Sequence, residues 1–255
     1  MIAVEAQFSV VDEGEGFIVV DKAAPLIVHP ANDKGTEPTL LGGVQQLLSY
    51  EIANGAQLSI INRLDRETSG LVLMATKKSM ARAFSKAMER RLVRKEYEAI
   101  VFGHPEWDEM KVDAPILRKG EQEESPIYVK QMVHEEGKPC ETYFEVVRRM
   151  TVNGRAVSLL NVMPHTGRMH QIRVHAAHLG FPLVGDKIYG EDEGNYLRFI
   201  ETGMDEEMER ELMLPRHALH ACGMSLELEG SQLEWKVGLV EDLRGFLAGA
   251  KEIEG

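Results

Sequence analysis

The sequence predicts an α+β fold, with a central, mostly antiparallel or mixed sheet flanked by helices and loops. Three observations carry that reading. Short runs rich in Val, Ile and Leu recur from Phe8 to Leu239, several alternating polar and apolar residues as half-exposed strands do. Helical periodicity is confined to a few stretches, chiefly 39–50, 77–92 and a short C-terminal segment. Strand-like runs mostly follow one another directly instead of alternating with helices, which disfavours a doubly wound parallel sheet.

Taken in order, Phe8-Ser-Val-Val-Asp and Gly16-Phe-Ile-Val-Val-Asp-Lys read as two strands joined by an acidic turn, hence a hairpin. Leu26-Ile-Val-His-Pro is a third apolar run, followed by a Pro/Asn/Asp/Gly-rich loop from Pro30 to Gly35 and a helical pattern near Thr39 to Tyr50. Residues 58 to 76 are extended on both sides of a polar turn. From Lys77 to Leu92, Met80, Phe84, Met88 and Leu92 define an apolar helix face, while Lys78, Arg82, Lys86 and Arg90 recur about 200° around it. Lys95 to Gly103 alternates as a strand. Residues 104 to 140, broken by four prolines, read as loops with short strands. Strands are expected again at 141–148, 157–163, 217–228 and 233–239. No linker or internal repeat divides the chain, so 1–255 is expected to be a single domain.

The chain has 255 residues, 44% of them hydrophobic and 27% charged, which is ordinary for a globular protein. Cys140 and Cys222 stand far apart and outside any C-x-x-C spacing, so no disulfide framework or zinc site is signalled and a reducing cytoplasm fits. No apolar run approaches the roughly 18 residues that cross a bilayer. A net charge of −12 argues against indiscriminate polyanion binding. The distribution is uneven, however. Residues 62–95 hold ten basic and three acidic residues, whereas 191–211 hold nine acidic and two basic. The acidic insert is expected to be a solvated loop and helix.

Two segments carry chemistry. Asn62-Arg-Leu-Asp-Arg-Glu-Thr-Ser-Gly70 is a polar turn between apolar strands, which Asp, Thr and Ser also build for purely structural reasons. Thr166 to Gly180 crowds Arg168, His170, Arg173, His175 and His178 into eleven positions, a density unusual for a structural segment. The histidine spacings of five and three, with no nearby Cys or Glu, do not complete a zinc ligand set. Ser69 lacks the Gly-x-Ser-x-Gly elbow of a hydrolase.

Arg63-Leu-Asp-Arg-Glu-Thr-Ser-Gly-Leu, Lys95-Glu-Tyr-Glu-Ala-Ile-Val, Thr166-Gly-Arg-Met-His-Gln-Ile-Arg-Val-His, Gly185-Asp-Lys-Ile-Tyr-Gly and Ala218-Leu-His-Ala together resemble the RluA family of pseudouridine synthases, in the family's order and over nearly the whole chain. The resemblance implies the pseudouridine synthase fold, with an active-site cleft across the sheet. It further implies isomerisation of uridine in ribosomal or transfer RNA without cofactor or metal. In that reaction the base is detached from C1′, rotated and rejoined through C5.

By the same resemblance Asp65 is the nucleophile, Arg173 its cationic partner and Tyr97 the tyrosine that stacks on the base. Ile172 packs against the base. Arg63, Arg66, Thr68, Arg168 and His170 are expected to bind substrate, Arg63 as a candidate to fill the vacated stack. Lys78, Arg82, Lys86 and Arg90 are expected to contact phosphates. The residue chemistry agrees, because a carboxylate stays ionised in a closed pocket only beside a cation. It serves equally for attack at C6, attack at C1′, or promotion of a glycal.

The chain departs from the pattern at Asn62, where the family commonly has His, at Lys22-Ala-Ala-Pro25, and at Met169. These departures bear on substrate choice. The protein is expected to be a cytoplasmic monomer whose partner is RNA, and, unlike many members of the family it resembles, to carry no accessory RNA-binding domain ahead of its catalytic domain. The rival readings are an RNA-binding or RNA-remodelling relative with little catalysis, and an RNA N-glycosylase that would release free uracil.

Overall fold

The computed structural model describes residues 7–30, 37–190, 192–228 and 230–252. The chain divides into two compact units, the first formed by residues up to Arg94 with Ala221–Gly238, the second by Lys95–His220 with the segment from Leu239 onward.

The first unit opens with β1 (Phe8–Gly14) and β2 (Phe17–Lys22), the expected antiparallel hairpin. Leu26 and Val28 are buried but form no strand; Ile27 makes only an isolated bridge to Thr39. Most of the polar loop that follows lies outside the described residues. Thr39 caps α1 (Leu40–Leu47), its hydroxyl accepting the Gly42 N–H at 3.0 Å, and a short α2 (Ser49–Ala53) follows. Next come β3 (Ser59–Ile60), β4 (Ser69–Ala75) and α3 (Lys78–Glu89). β4 pairs antiparallel with β2 in a register that sets Lys22 opposite Gly70. The end of β2 is thereby brought to the turn that precedes β4.

α3 lays Phe84 and Ala87 against a core of Phe17, Leu71, Leu73 and Trp235. Phe17 meets Phe84 and Trp235 edge-on at 5.8 and 5.6 Å between centroids, the favoured geometry for aromatic pairs. The predicted helix is shorter than its pattern suggested. It ends at Glu89, Arg91 adopts a left-handed backbone conformation with φ of 57°, and Leu92 turns out to be 53% exposed while Val93 is buried in its place. The period is broken by the helix terminus, where the chain reverses.

The second unit begins with β5 (Arg94–Phe102), all but its first residue belonging there, followed by β6 (Glu109–Asp113), β7 (Ile116–Arg118) and β8 (Gln131–Val133). The long β9 (Glu141–Val152) and β10 (Arg155–Pro164) form an antiparallel hairpin, with β10 also pairing antiparallel to β5. α4 (Gln171–His178) packs Ile172 and Ala176 onto the face of that sheet, against Ala99, Leu160 and Val162.

The acidic insert, expected as a solvated loop and helix, contains two helices with buried residues. It forms α5 (Gly194–Thr202) and α6 (Glu206–Leu212), with Asn195, Met208 and Leu212 buried. Asp205 caps α6 by accepting the Met208 N–H at 2.8 Å. Lys130 and Lys119 both pair with Glu193, so part of the acidity is neutralised within the unit.

β11 (Leu219–Leu228) and β12 (Ser231–Lys236) form an antiparallel pair, which returns the chain to the first unit. α7 (Glu241–Ala248) and β13 (Lys251–Glu252) then complete the second unit, with Leu243 and Leu247 packed against Ile100, Met150 and Val157. Among the described residues no helix is long and apolar enough to cross a membrane.

Candidate active site

In the first unit the 62–70 turn is held from both sides. The Asn62 amide donates to the Leu71 carbonyl at 3.1 Å and accepts the Leu73 N–H at 2.8 Å, pinning the start of the turn to β4. The residue at this departure from the family pattern thus has a structural task. Lys22, with no exposed surface, donates from Nζ to the carbonyls of Ala23, Leu26 and Arg66 at 3.0, 2.7 and 3.2 Å. A buried ammonium is tolerated only with such acceptors, and the Arg66 carbonyl it grips is the one next to Asp65. Leu26 N–H donates to the same carbonyl at 2.9 Å, and Thr68 N–H to the Asp65 carbonyl at 3.1 Å. Asp65 itself is half-buried at the crest of this braced turn.

Gly70 closes the turn with φ of 113°, and a Cβ there would sit 2.3 Å from the Ala221 carbonyl oxygen. Arg63 and Arg66 are exposed, Arg63 donating to His29 Nε2 at 2.8 Å and Arg66 pairing with Glu37 at 2.6 Å. Thr68 is buried at 2% exposure. Lys78, Arg82 and Lys86 on α3, and Arg90 at its C-cap, are all exposed. Among the described residues none of these four is held in an ion pair, whereas their neighbour Lys77 is bound to Glu15.

The second unit carries the remaining residues. Tyr97 lies on β5 opposite Val162 of β10, half-buried, and packs against the same apolar cluster that contains Ile172. Lys95, two residues earlier, donates Nζ to the Thr166 carbonyl at 3.1 Å, and burial lowers its pKa from the usual lysine value. The Thr166 hydroxyl donates to Gln171 Oε1 at 2.7 Å and accepts the Glu141 N–H at 3.1 Å. Gln171 Oε1 also takes the Arg168 N–H, and its amide nitrogen donates to the Glu141 carbonyl and the Thr142 hydroxyl. This network fixes the loop that leads into α4. Within it, Arg168 and Met169 are exposed, and His170 caps the helix in a left-handed conformation with φ of 56°.

His175 Nε2 lies 2.9 Å from the Ala114 carbonyl and Nδ1 2.8 Å from the Thr142 hydroxyl. A carbonyl only accepts, so Nε2 carries the proton and Nδ1 accepts from Thr142. Both ring nitrogens are engaged in the core, and burial lowers the pKa of this imidazole.

Arg173 is 5% exposed on the inner face of α4. Its Nε and Nη2 donate to the two oxygens of Asp186 at 2.7 and 2.8 Å, a two-pronged pair with a carboxylate that has no exposed surface. Burial alone would raise the Asp186 pKa, but the Arg173 charge and hydrogen bonds outweigh it and hold the carboxyl well below the usual range. The Tyr189 ring lies 5.0 Å from the Arg173 guanidinium carbon. Tyr189 Oη is 2.8 Å from His170 Nδ1 and accepts the Gln131 N–H at 2.9 Å. The structure therefore groups Tyr97 with Ile172, and Arg173 with His170 through Tyr189. Reasoning from sequence assigned no role to Lys22, Lys95, Asp186 or Tyr189. Their signals were membership of quoted motifs, Lys95 in Lys95–Val101 and the last two in Gly185–Gly190, and for Lys22 the departure at Lys22-Ala-Ala-Pro25.

The RNA pseudouridylate synthase family model matches residues 16–178, a span that includes Asp65, Tyr97 and Arg173. The chain belongs to this family and is an isomerase acting on RNA.

It is 34% identical to the ribosomal large subunit pseudouridine synthase D of Pseudomonas aeruginosa over 97% of this chain and 73% of that one. The protein of the same name from Nitrosomonas europaea is 33% identical, over 94% and 64% respectively. That from Escherichia coli K12 is 32% identical over 92% and 68%. This chain thus spans between 64% and 73% of the length of these relatives. Among solved structures, human RNA pseudouridylate synthase domain containing 1 and 4 superimpose with TM-scores of 0.69 and 0.71, at 23% and 21% identity, covering 97% and 95% of the chain. These share the fold.

Proposed function

We propose that this protein isomerises uridine to pseudouridine in ribosomal RNA, with Asp65 as its nucleophile. The observation that carries the reading is the family match across the Asp65 turn, joined to relatives whose names specify the large ribosomal subunit. In the reaction the N1–C1′ bond breaks, the base turns, C5 bonds to C1′, and the proton lost from C5 is balanced by one gained at N1. No atom is added or removed overall. Asp65 supplies the carboxylate, Arg173 the cation, and Tyr97 with Ile172 the surfaces against which the base is held.

The uridine must leave its helix to be reached, at a cost of a few kcal/mol. Arg63, Arg66, Thr68, Arg168 and His170 bind around the extruded nucleotide in this reading. Lys78, Arg82, Lys86 and Arg90 grip phosphates further along the RNA. That no ion pair within the described residues occupies them, in a protein with 41 acidic residues, supports that role. Cys140 and Cys222 stand far apart in sequence and outside any C-x-x-C spacing, which fits a cytoplasmic enzyme.

The test is to incubate the protein with unmodified ribosomal and transfer RNA transcripts and map pseudouridine site by site, with mass spectrometry in parallel. Conversion in ribosomal RNA at unchanged mass is expected. Release of free uracil would indicate a glycosylase, and conversion confined to transfer RNA would overturn the substrate assignment.

A further inference from the structure

The segment Gly185-Asp-Lys-Ile-Tyr-Gly190 has no part in the chemistry above, yet its backbone is tightly specified. Gly185 has φ of 77°, and a Cβ there would lie 1.9 Å from the Arg216 carbonyl oxygen. Gly190 donates its N–H to the Asp186 carbonyl at 3.1 Å, and its own Cβ would come within 2.6 Å of that oxygen. The turn folds back on itself so that Asp186 Oδ1 accepts the N–H groups of Ile188 and Tyr189 at 2.9 and 3.1 Å. Both carboxylate oxygens are then presented to Arg173 in a fixed plane. Three residues on, the same turn places the Tyr189 ring against the guanidinium and ties its hydroxyl to His170 and to the start of β8.

We propose that Asp186 and Tyr189 are positioning residues that clamp Arg173 for the isomerisation. The inference rests on the reading that Arg173 acts in that reaction. Arginine is a rotamer-rich side chain, and fixing it before substrate arrives removes the entropic cost of ordering it from the chemical step. Asp186 engages one edge of the planar fork, Nε with Nη2, and so fixes the orientation of the guanidinium. Tyr189 supports the flat face and blocks rotation out of the plane. The Asp186 charge also keeps the buried guanidinium neutralised before RNA binds.

The clamp makes Arg173→Ala a poor probe, since it strands the Asp186 carboxylate in the core. The informative experiment is steady-state kinetics on an RNA substrate for wild type, Asp186→Asn, Tyr189→Phe, Arg173→Lys and the Asp186→Asn/Arg173→Lys double variant, each checked for folding by its melting temperature. Asp186→Asn is expected to lower kcat about tenfold or more with KM within about twofold, and the milder Tyr189→Phe to lower it about threefold. In the Arg173→Lys background, Asp186→Asn should cost less than about twofold, because its effect is transmitted through the missing guanidinium.

Full multiplication of the two losses, or wild-type kcat in a folded Asp186→Asn, would overturn the clamp. Should Asp186→Asn not fold, a wild-type kcat in Tyr189→Phe would do the same. Wild-type protein that forms no pseudouridine at all would instead overturn the reading on which the clamp depends.

Discussion

Asn62 uses both ends of its amide to hold the aspartate turn against β4, and it does so from a buried position. Asn62→Ala leaves the Leu73 N–H and the Leu71 carbonyl without that partner, and is expected to destabilise the protein by about 1–3 kcal/mol in urea denaturation. His175 gives a second expectation at this scale. Its pKa in the fold lies below the ordinary 6.5, so the native state keeps it neutral while the unfolded chain binds a proton. The stability this contributes is fully present above about pH 6.5 and is lost as pH falls through and below that value. The wild-type dependence of unfolding free energy on pH between 5 and 6.5 should therefore exceed that of His175→Gln by up to about 1.4 kcal/mol per pH unit, whereas equal slopes would contradict it.

The residue chemistry was partly legible in the sequence. Asp65, Tyr97 and Arg173 stand in contiguous motifs. The sequence names Lys22, Lys95 and Asp186 within its motifs and departures but not their burial, because Lys and Asp are ordinarily surface residues and the carbonyls and guanidinium that hold them come from elsewhere in the chain.

Among the elements, β4 depends on Gly70, whose φ of 113° and close approach to the Ala221 backbone exclude a side chain. Gly70→Ala is expected to cost at least about 1–3 kcal/mol from backbone strain alone, read as a fall in the denaturation midpoint. α3 makes the opposite prediction. Replacing Lys78, Arg82 and Lys86 together by Ala should leave stability within about 0.5 kcal/mol per site, since these side chains are exposed and held in no ion pair among the described residues. RNA affinity should nevertheless weaken, and the slope of log Kd against log salt should fall by about 0.7–0.9 for each phosphate that the variant no longer neutralises. An unchanged slope would remove the stripe from the RNA interface.

The apolar and basic faces of this helix were readable from periodicity, but its end was not. Leu92 continues the spacing in sequence after the backbone has already turned at Arg91. The second helix of the acidic insert is hidden for a related reason. Its many carboxylates mask the spacing of Met208 and Leu212, which bury one side of α6.

For the whole molecule, the net charge of −12 says less than its distribution. Acidic residues are partly paired internally, as Glu193 is with Lys119 and Lys130, while Lys78, Arg82 and Lys86 of α3 are exposed and held in no ion pair among the described residues. The α+β class was legible because strands outnumber helices and follow one another directly. The bracing of the active-site segments was not, because it is made by hydrogen bonds between residues such as Lys22 and Arg66 that are 44 positions apart.

The central claim is that the Asp65 carboxylate performs the isomerisation. Asp65→Asn changes one oxygen to a nitrogen and removes the nucleophile while preserving the size of the side chain. Site-by-site pseudouridine mapping of ribosomal RNA treated with wild type and with Asp65→Asn tests this most directly, with RNA binding measured alongside. The predicted result is conversion by wild type and none by the variant at equal RNA binding; conversion by the folded variant at a rate near that of wild type would contradict the account.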